Sequence, residues 1–88
     1  MTYRVVYTSA ARRALSERLP SGAAAACVEF IGAVLAEAPQ RAGKPLRAPL
    51  EGLYSARRGE FGVIYAINDE ELVVLVITIA HRRDAYRS

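Results

Sequence analysis

The run Leu72-Val73-Val74-Leu75-Val76-Ile77-Thr78-Ile79-Ala80 constrains this chain more than any other stretch. It carries no charge and shows no alternation between apolar and polar positions, so it reads as a strand that is wet on neither face. A strand apolar on both faces is central in its sheet, with a neighbour on either side. The run is too short to cross a membrane, which takes about 20 residues in a helix. The rest of the fold has to supply the flanking strands and a cover for the sheet.

The candidates are close by. Asn68-Asp69-Glu70-Glu71 is a turn, and Phe61 to Ile67 before it reads as a strand. Gly59-Glu60 is a tight turn that joins this strand to another at Leu53 to Arg58, so the last three strands form an antiparallel meander. At the other end, Tyr3 to Thr8 is β-branched and aromatic and reads as a first strand. Ser9 is a plausible N-cap for a helix from Ala10 to about Leu19, with Ala11, Leu15 and Leu19 on one face. Pro20 ends that helix and Ser21-Gly22 turns the chain. A second helix is expected from about Gly22 to Ala38, built on an alanine run of high helix propensity. Its apolar stripe is Cys27, Ile31, Val34, Leu35 and Ala38, with Glu29 and Glu37 off the stripe. From Pro39 to Gly52, three prolines and two glycines forbid long regular structure. The expected fold is α+β, in the order β-α-α-β-β-β. A helical hairpin packs on one face of a small antiparallel-rich sheet, and the other face is left for function.

Composition sets the outer bounds. Eighty-eight residues suit one domain, spanning 1–88, with a small core that buries roughly 60–65% of the unfolded surface. At 52% apolar and 24% charged the chain is globular rather than disordered. One cysteine excludes an internal disulfide, and one cysteine with one histidine excludes the usual zinc sets, so no metal or other cofactor is expected. The N-terminus enters a strand pattern at once, without a signal peptide, and a soluble cytoplasmic domain is expected.

Net charge is only +3, but its distribution is uneven. Arg41, Lys44, Arg47, Arg57 and Arg58 face a single acid, Glu51, within residues 41–58. Residues 59–80 hold Glu60, Asp69, Glu70 and Glu71 and no base, and the tail returns to Arg82, Arg83 and Arg87 against Asp84. If folding joins the two basic segments, the chain gains one face suited to a polyanion. Alternation puts Leu53, Ser55 and Arg57 on one face of their strand, and Tyr54, Ala56 and Arg58 on the other. An arginine at mid-sheet suits phosphate, which its planar fork matches; alternatively, it guards an edge strand against aggregation. His81-Arg82-Arg83, with Tyr86 shortly after, follows the central strand. Histidine can exchange a proton near neutral pH, arginine can stabilise a developing phosphorane and tyrosine can stack on a base. Such a cluster can cleave RNA without metal, using the ribose 2′-hydroxyl as nucleophile. The ordinary alternative is a surface histidine and a tyrosine packed on the sheet.

Two runs then resemble a known family. Pro39-Gln40-Arg41-Ala42-Gly43-Lys44-Pro45-Leu46, followed by Leu50-Glu51-Gly52-Leu53-Tyr54-Ser55-Ala56-Arg57-Arg58-Gly59, is similar to the RelE branch of the RelE/ParE toxins. Val63 to Ile67 and the ending Ile79-Ala80-His81-Arg82-Arg83-Asp84-Ala85-Tyr86-Arg87 match as well, so the likeness spans essentially the whole chain. The resemblance implies a toxin of a type II toxin–antitoxin pair that cleaves mRNA in the ribosomal A site without metal. Its partners would be a cognate antitoxin, the ribosome and mRNA, with operator DNA reached only through the antitoxin and no membrane involved. It implies catalytic roles for Arg57, His81, Arg82 and Tyr86, and RNA or phosphate contacts from Lys44, Arg47, Arg58 and Arg83. Two positions depart from the family pattern. Gly62 stands where the family usually has a phosphate-binding arginine, and Ser55 stands where some members carry lysine. The Gly62 departure bears directly on turnover. A ParE-like inhibitor of DNA gyrase, or a catalytically silent member acting through antitoxin binding, are the alternative expectations.

Overall fold

The computed structural model describes residues 2–81. Strand β1 (Arg4–Tyr7) leads into helix α1 (Ser9–Arg13), which continues as a π-helical turn over Ala14–Arg18. Helix α2 (Ser21–Phe30) likewise continues as a π-helical turn over Ile31–Leu35. A short helix α3 (Pro39–Ala42) and a two-residue strand β2 (Lys44–Pro45) follow. Strands β3 (Tyr54–Arg58), β4 (Phe61–Asn68) and β5 (Val73–His81) complete the sheet.

The strand order is β1-β5-β4-β3-β2. The apolar run is therefore flanked on both sides, by β4 in antiparallel register and by β1 in parallel register. Because β1 and β2 lie on opposite edges, the helical segment between them has to cross the sheet, and it covers one face in doing so. Gly59, with φ of 63°, takes the left-handed conformation that the tight β3–β4 turn requires.

The core lies between that covered face and the helices. Ala56, Val63 and Ile79 sit opposite one another on β3, β4 and β5 and are all buried. Ala11, Ala14, Cys27, Ile31 and Leu35 close over them from the helices. Residues with almost no side chain at 11 and 14 let α1 lie close to the sheet. Ile31 and Leu35, fully buried, each contribute roughly 1.5–3 kcal/mol of burial free energy.

Three details differ from expectation, each for a local reason. Thr8, not Ser9, caps α1: Thr8 is still extended, its Oγ1 accepts from the Ala11 N–H at 3.1 Å, and its hydroxyl donates to the Ile77 carbonyl at 2.6 Å. Val34 is 45% exposed rather than part of the apolar stripe. The second helix buries Cys27, Ile31 and Leu35 at a strict four-residue step through its π turn, which turns position 34 outward. That helix also stops at Leu35, and Pro39 opens a separate one, as suits a residue that fits only a first helical turn. The segment read as irregular thus contains α3 and β2, which add a fifth strand to the sheet.

Candidate nucleic-acid interface

Directly opposed residues share a face of a sheet, so the register sorts the candidate side chains. Arg58, Phe61 and His81 form one row, in step with the buried row Ala56, Val63 and Ile79, and therefore face the helices. Arg57, Gly62 and Ala80 form the next row and face the other way, together with Lys44, Ser55, Ile64 and Thr78. The structure brings Lys44 and Arg57 to one face and places Arg58 and His81 on the opposite one.

On the open side, Arg41, Lys44, Ser55 and Arg57 line a groove of about 680 Å³ between the α3–β2 segment and β3. Arg41, Lys44 and Arg57 are exposed, and among the described residues none has a carboxylate within ion-pair distance. Three exposed cations along one groove form a field suited to phosphate.

The groove depends on how β2 is held. The buried Tyr65 hydroxyl donates to the Pro39 carbonyl at 2.6 Å, and its ring stacks on Tyr54 at 5.6 Å between centroids. Burial pushes the Tyr65 phenol up to about 12, so it is a neutral donor throughout the ordinary pH range. Gly43 passes so close that a β-carbon there would fall inside 3.0 Å of the Ser55 carbonyl oxygen and carbon and of the Tyr65 hydroxyl. Only glycine lets the chain cross at this distance, and the crossing sets Lys44 directly opposite Ser55. At the far end of α3, Gln40 donates to Asp69 at 2.7 Å and to the Tyr3 hydroxyl at 3.0 Å. Tyr3 itself donates to Asp69 at 2.6 Å, and that hydrogen bond raises its pKa.

Behind the sheet, Ala23, Ala26, Cys27, Arg58, Gly59, Glu60, Phe61 and His81 line a second cavity of about 440 Å³. His81 Nε2 lies 2.9 Å from Glu60 Oε1, and its ring meets the Phe61 ring edge-on at 5.5 Å. Burial pushes the Cys27 thiol up, with Arg58 partly opposing the shift, so Cys27 is not an activated nucleophile. Arg47 lies in the exposed turn after β2, outside the groove, where its carbonyl accepts from Leu50. Arg82, Arg83 and Tyr86 lie outside the described residues. Among the described residues no cluster of His, Cys, Asp and Glu could hold a metal ion. No helix among them is long and apolar enough to cross a membrane.

In the sequence Arg41 stands only as part of a basic segment, and neither Gly43 nor Tyr65 announces a structural role. The signal was present in the close spacing of Arg41, Gly43 and Lys44. Its meaning depends on β2 pairing with β3, which a two-residue strand does not announce.

A five-stranded sheet covered on one face by a helical hairpin, with a groove lined by three exposed cations on its other side, defines a small α+β protein with a basic face. The model of the ParE toxin of type II toxin–antitoxin systems matches residues 5–86. Toxin RelE of Mycobacterium tuberculosis is 53% identical over 97% of this chain and 87% of its own length. Toxin RelG of the same organism is 46% identical over 99% of both chains. Among solved structures, the toxin–antitoxin complex RelBE2 from M. tuberculosis contains a chain that superposes with a TM-score of 0.89 at 44% identity, covering 96% of this chain and 95% of that one. The chain belongs to the RelE/ParE family of type II toxin–antitoxin toxins, and its curated relatives lie in the RelE branch.

Proposed function

We propose that this protein is a ribosome-dependent endoribonuclease that cleaves mRNA in the A site, inhibits translation and is neutralised by a cognate antitoxin. In this reading the chain acts as a single domain in the cytoplasm. The observation that carries it is exposed Arg57 on the helix-free face, with exposed Lys44 on the adjoining row and, among the described residues, no acid paired to either. A polyanion can approach Arg57 and Lys44 without displacing an ion pair among the described residues. Arg57 binds the scissile phosphate, and Arg82 and Tyr86 are the tail residues proposed to complete the site. The ribose 2′-oxygen attacks the adjacent phosphorus and the P–O5′ bond breaks, leaving a cyclic phosphate and a 5′-hydroxyl. Arg57 acts by stabilising the charge that grows on the phosphate oxygens, a contribution worth roughly 10²–10³-fold when one preorganised donor is removed. His81, turned to the helix side and hydrogen-bonded to Glu60, is assigned no contact with that phosphate.

Gly62 lies directly opposite Arg57, so an arginine there would set a second guanidinium beside the first on the same face. Its absence favours a second reading, a weakly active or silent toxin that acts mainly by binding antitoxin. Expressing the protein in cells and mapping mRNA 5′ ends separates the two. Codon-phased breaks in translated regions support the nuclease; growth arrest without them, or no arrest, selects the alternatives, and a supercoiling assay with purified gyrase tests the ParE-like one.

A further inference from the structure

We infer that the groove between α3–β2 and β3 is a two-phosphate subsite for single-stranded RNA: Arg57 takes one phosphodiester, and Arg41 with Lys44 takes the neighbouring one. This rests on the nuclease reading and names Arg41 as a further binding residue. The cations belong to two walls. Arg57 stands on β3, whereas Arg41 and Lys44 come from the segment that Tyr65 and Gly43 hold against it. Lys44 is opposite Ser55, and Arg57 lies two residues further along β3. With strands about 4.8 Å apart and a rise of about 3.3 Å per residue, the two backbones are separated by roughly 8 Å. Side chains as long as lysine and arginine can converge from that distance on adjacent phosphates without competing for the same one.

Among the described residues the lining contains no carboxylate, and its other described members, Ala42, Gly43, Pro45, Leu46, Ser55 and Ala56, are small or apolar. They leave space for a backbone and offer little with which to read a base edge. The groove therefore grips RNA by charge and leaves sequence choice to other contacts. Lys44 is the only lysine in the chain, so replacing it removes the one side-chain amine available to the groove.

The test is equilibrium binding of fluorescent 2′-O-methyl oligonucleotides, which cannot supply the attacking hydroxyl, across a salt series. A dinucleotide has one phosphodiester and a trinucleotide has two. Arg41→Gln and Lys44→Gln should each weaken the trinucleotide while leaving the dinucleotide within twofold. Each should also lower the magnitude of the log K versus log salt slope, and the two together by about 0.7, the share of one phosphate, equivalent to roughly threefold less affinity lost between 50 and 200 mM salt. Arg57→Gln should weaken both ligands, and Lys44→Arg should restore wild-type binding. Thermal unfolding of each variant separates lost binding from lost folding. Equal weakening of both oligonucleotides by Arg41→Gln or Lys44→Gln, or unchanged slopes, overturns the two-phosphate assignment. Failure of the nuclease reading looks different: the binding pattern holds, while unmodified ribosome-bound mRNA is left uncut.

Discussion

Replacing Gly43 with alanine adds one methyl group where the structure has no room for it. The added carbon would meet the Ser55 carbonyl and the Tyr65 hydroxyl inside 3.0 Å, and two of those three atoms are backbone. If β2 stays docked, the overlap costs about 1–3 kcal/mol, the usual range for overpacking a filled site. If β2 lifts away, the Tyr65–Pro39 and Leu46–Leu53 hydrogen bonds are lost, at about 1 kcal/mol each. The two routes together span about 1–3 kcal/mol, or a fall in Tm of roughly 4–24 °C in a chain of this size. Gly32→Ala is the matched control. A β-carbon at Gly32 meets nothing within 4 Å, and Gly32 lies in an exposed helical turn, so alanine there should stabilise by about 0.5–1 kcal/mol. Circular dichroism melts and urea titrations of the two variants should therefore move in opposite directions. A Gly43→Ala protein within 0.5 kcal/mol of wild type, about the noise of a surface change, would refute the claim that close approach builds the groove.

Other predictions are more local. Tyr65→Phe should destabilise by about 1–2 kcal/mol because the buried Pro39 carbonyl loses its donor, measured by urea unfolding at neutral pH. The same phenol resists ionisation in the fold, so its contribution is complete below pH 10 and is lost as pH rises toward 12. The wild-type stability should fall more steeply than that of Tyr65→Phe across this window, and parallel curves would contradict the burial argument. Gly62→Arg should increase mRNA cleavage by at least tenfold in a programmed-ribosome assay; no gain would show that the bare position beside Arg57 does not limit turnover. His81→Gln should change cleavage less than tenfold and stability by under about 1 kcal/mol, since its exposed pair with Glu60 contributes little. A loss as large as that of Arg57→Gln would place His81 in the chemistry despite its orientation.

What the sequence disclosed follows the range of the interactions involved. The central strand was legible because apolar residues on both its faces, one face buried and the other half-buried, stand consecutively in the sequence, and the β3–β4 turn because Gly59 meets a local demand for positive φ. The face of Arg57 followed from alternation alone. The face of His81 relative to it did not: the register of β5 on β4 shifts at a bulge between Ile64 and Tyr65, and no local pattern records that irregularity. The cap on α1 was displaced by one residue because Thr8 satisfies two partners, one of them on distant β5. Strand β2 was hidden because it is specified by a neighbour's backbone meeting Gly43 rather than by its own propensity. The charge partition anticipated a cationic surface, yet the groove draws on the segment 41–57 and leaves Arg58, from the same basic run, on the other side.

The central claim is that Arg57 and the helix-free face cut mRNA through the ribose 2′-hydroxyl. The most direct measurement incubates purified toxin with ribosomes holding a defined mRNA, with and without a single 2′-deoxy substitution at the A-site scissile nucleotide. The account predicts a break within the A-site codon that ends in a cyclic phosphate, disappears with the deoxy substitution and falls by about 10²-fold or more in Arg57→Gln. Equal cutting of the deoxy message, or undiminished cutting by Arg57→Gln, would contradict it.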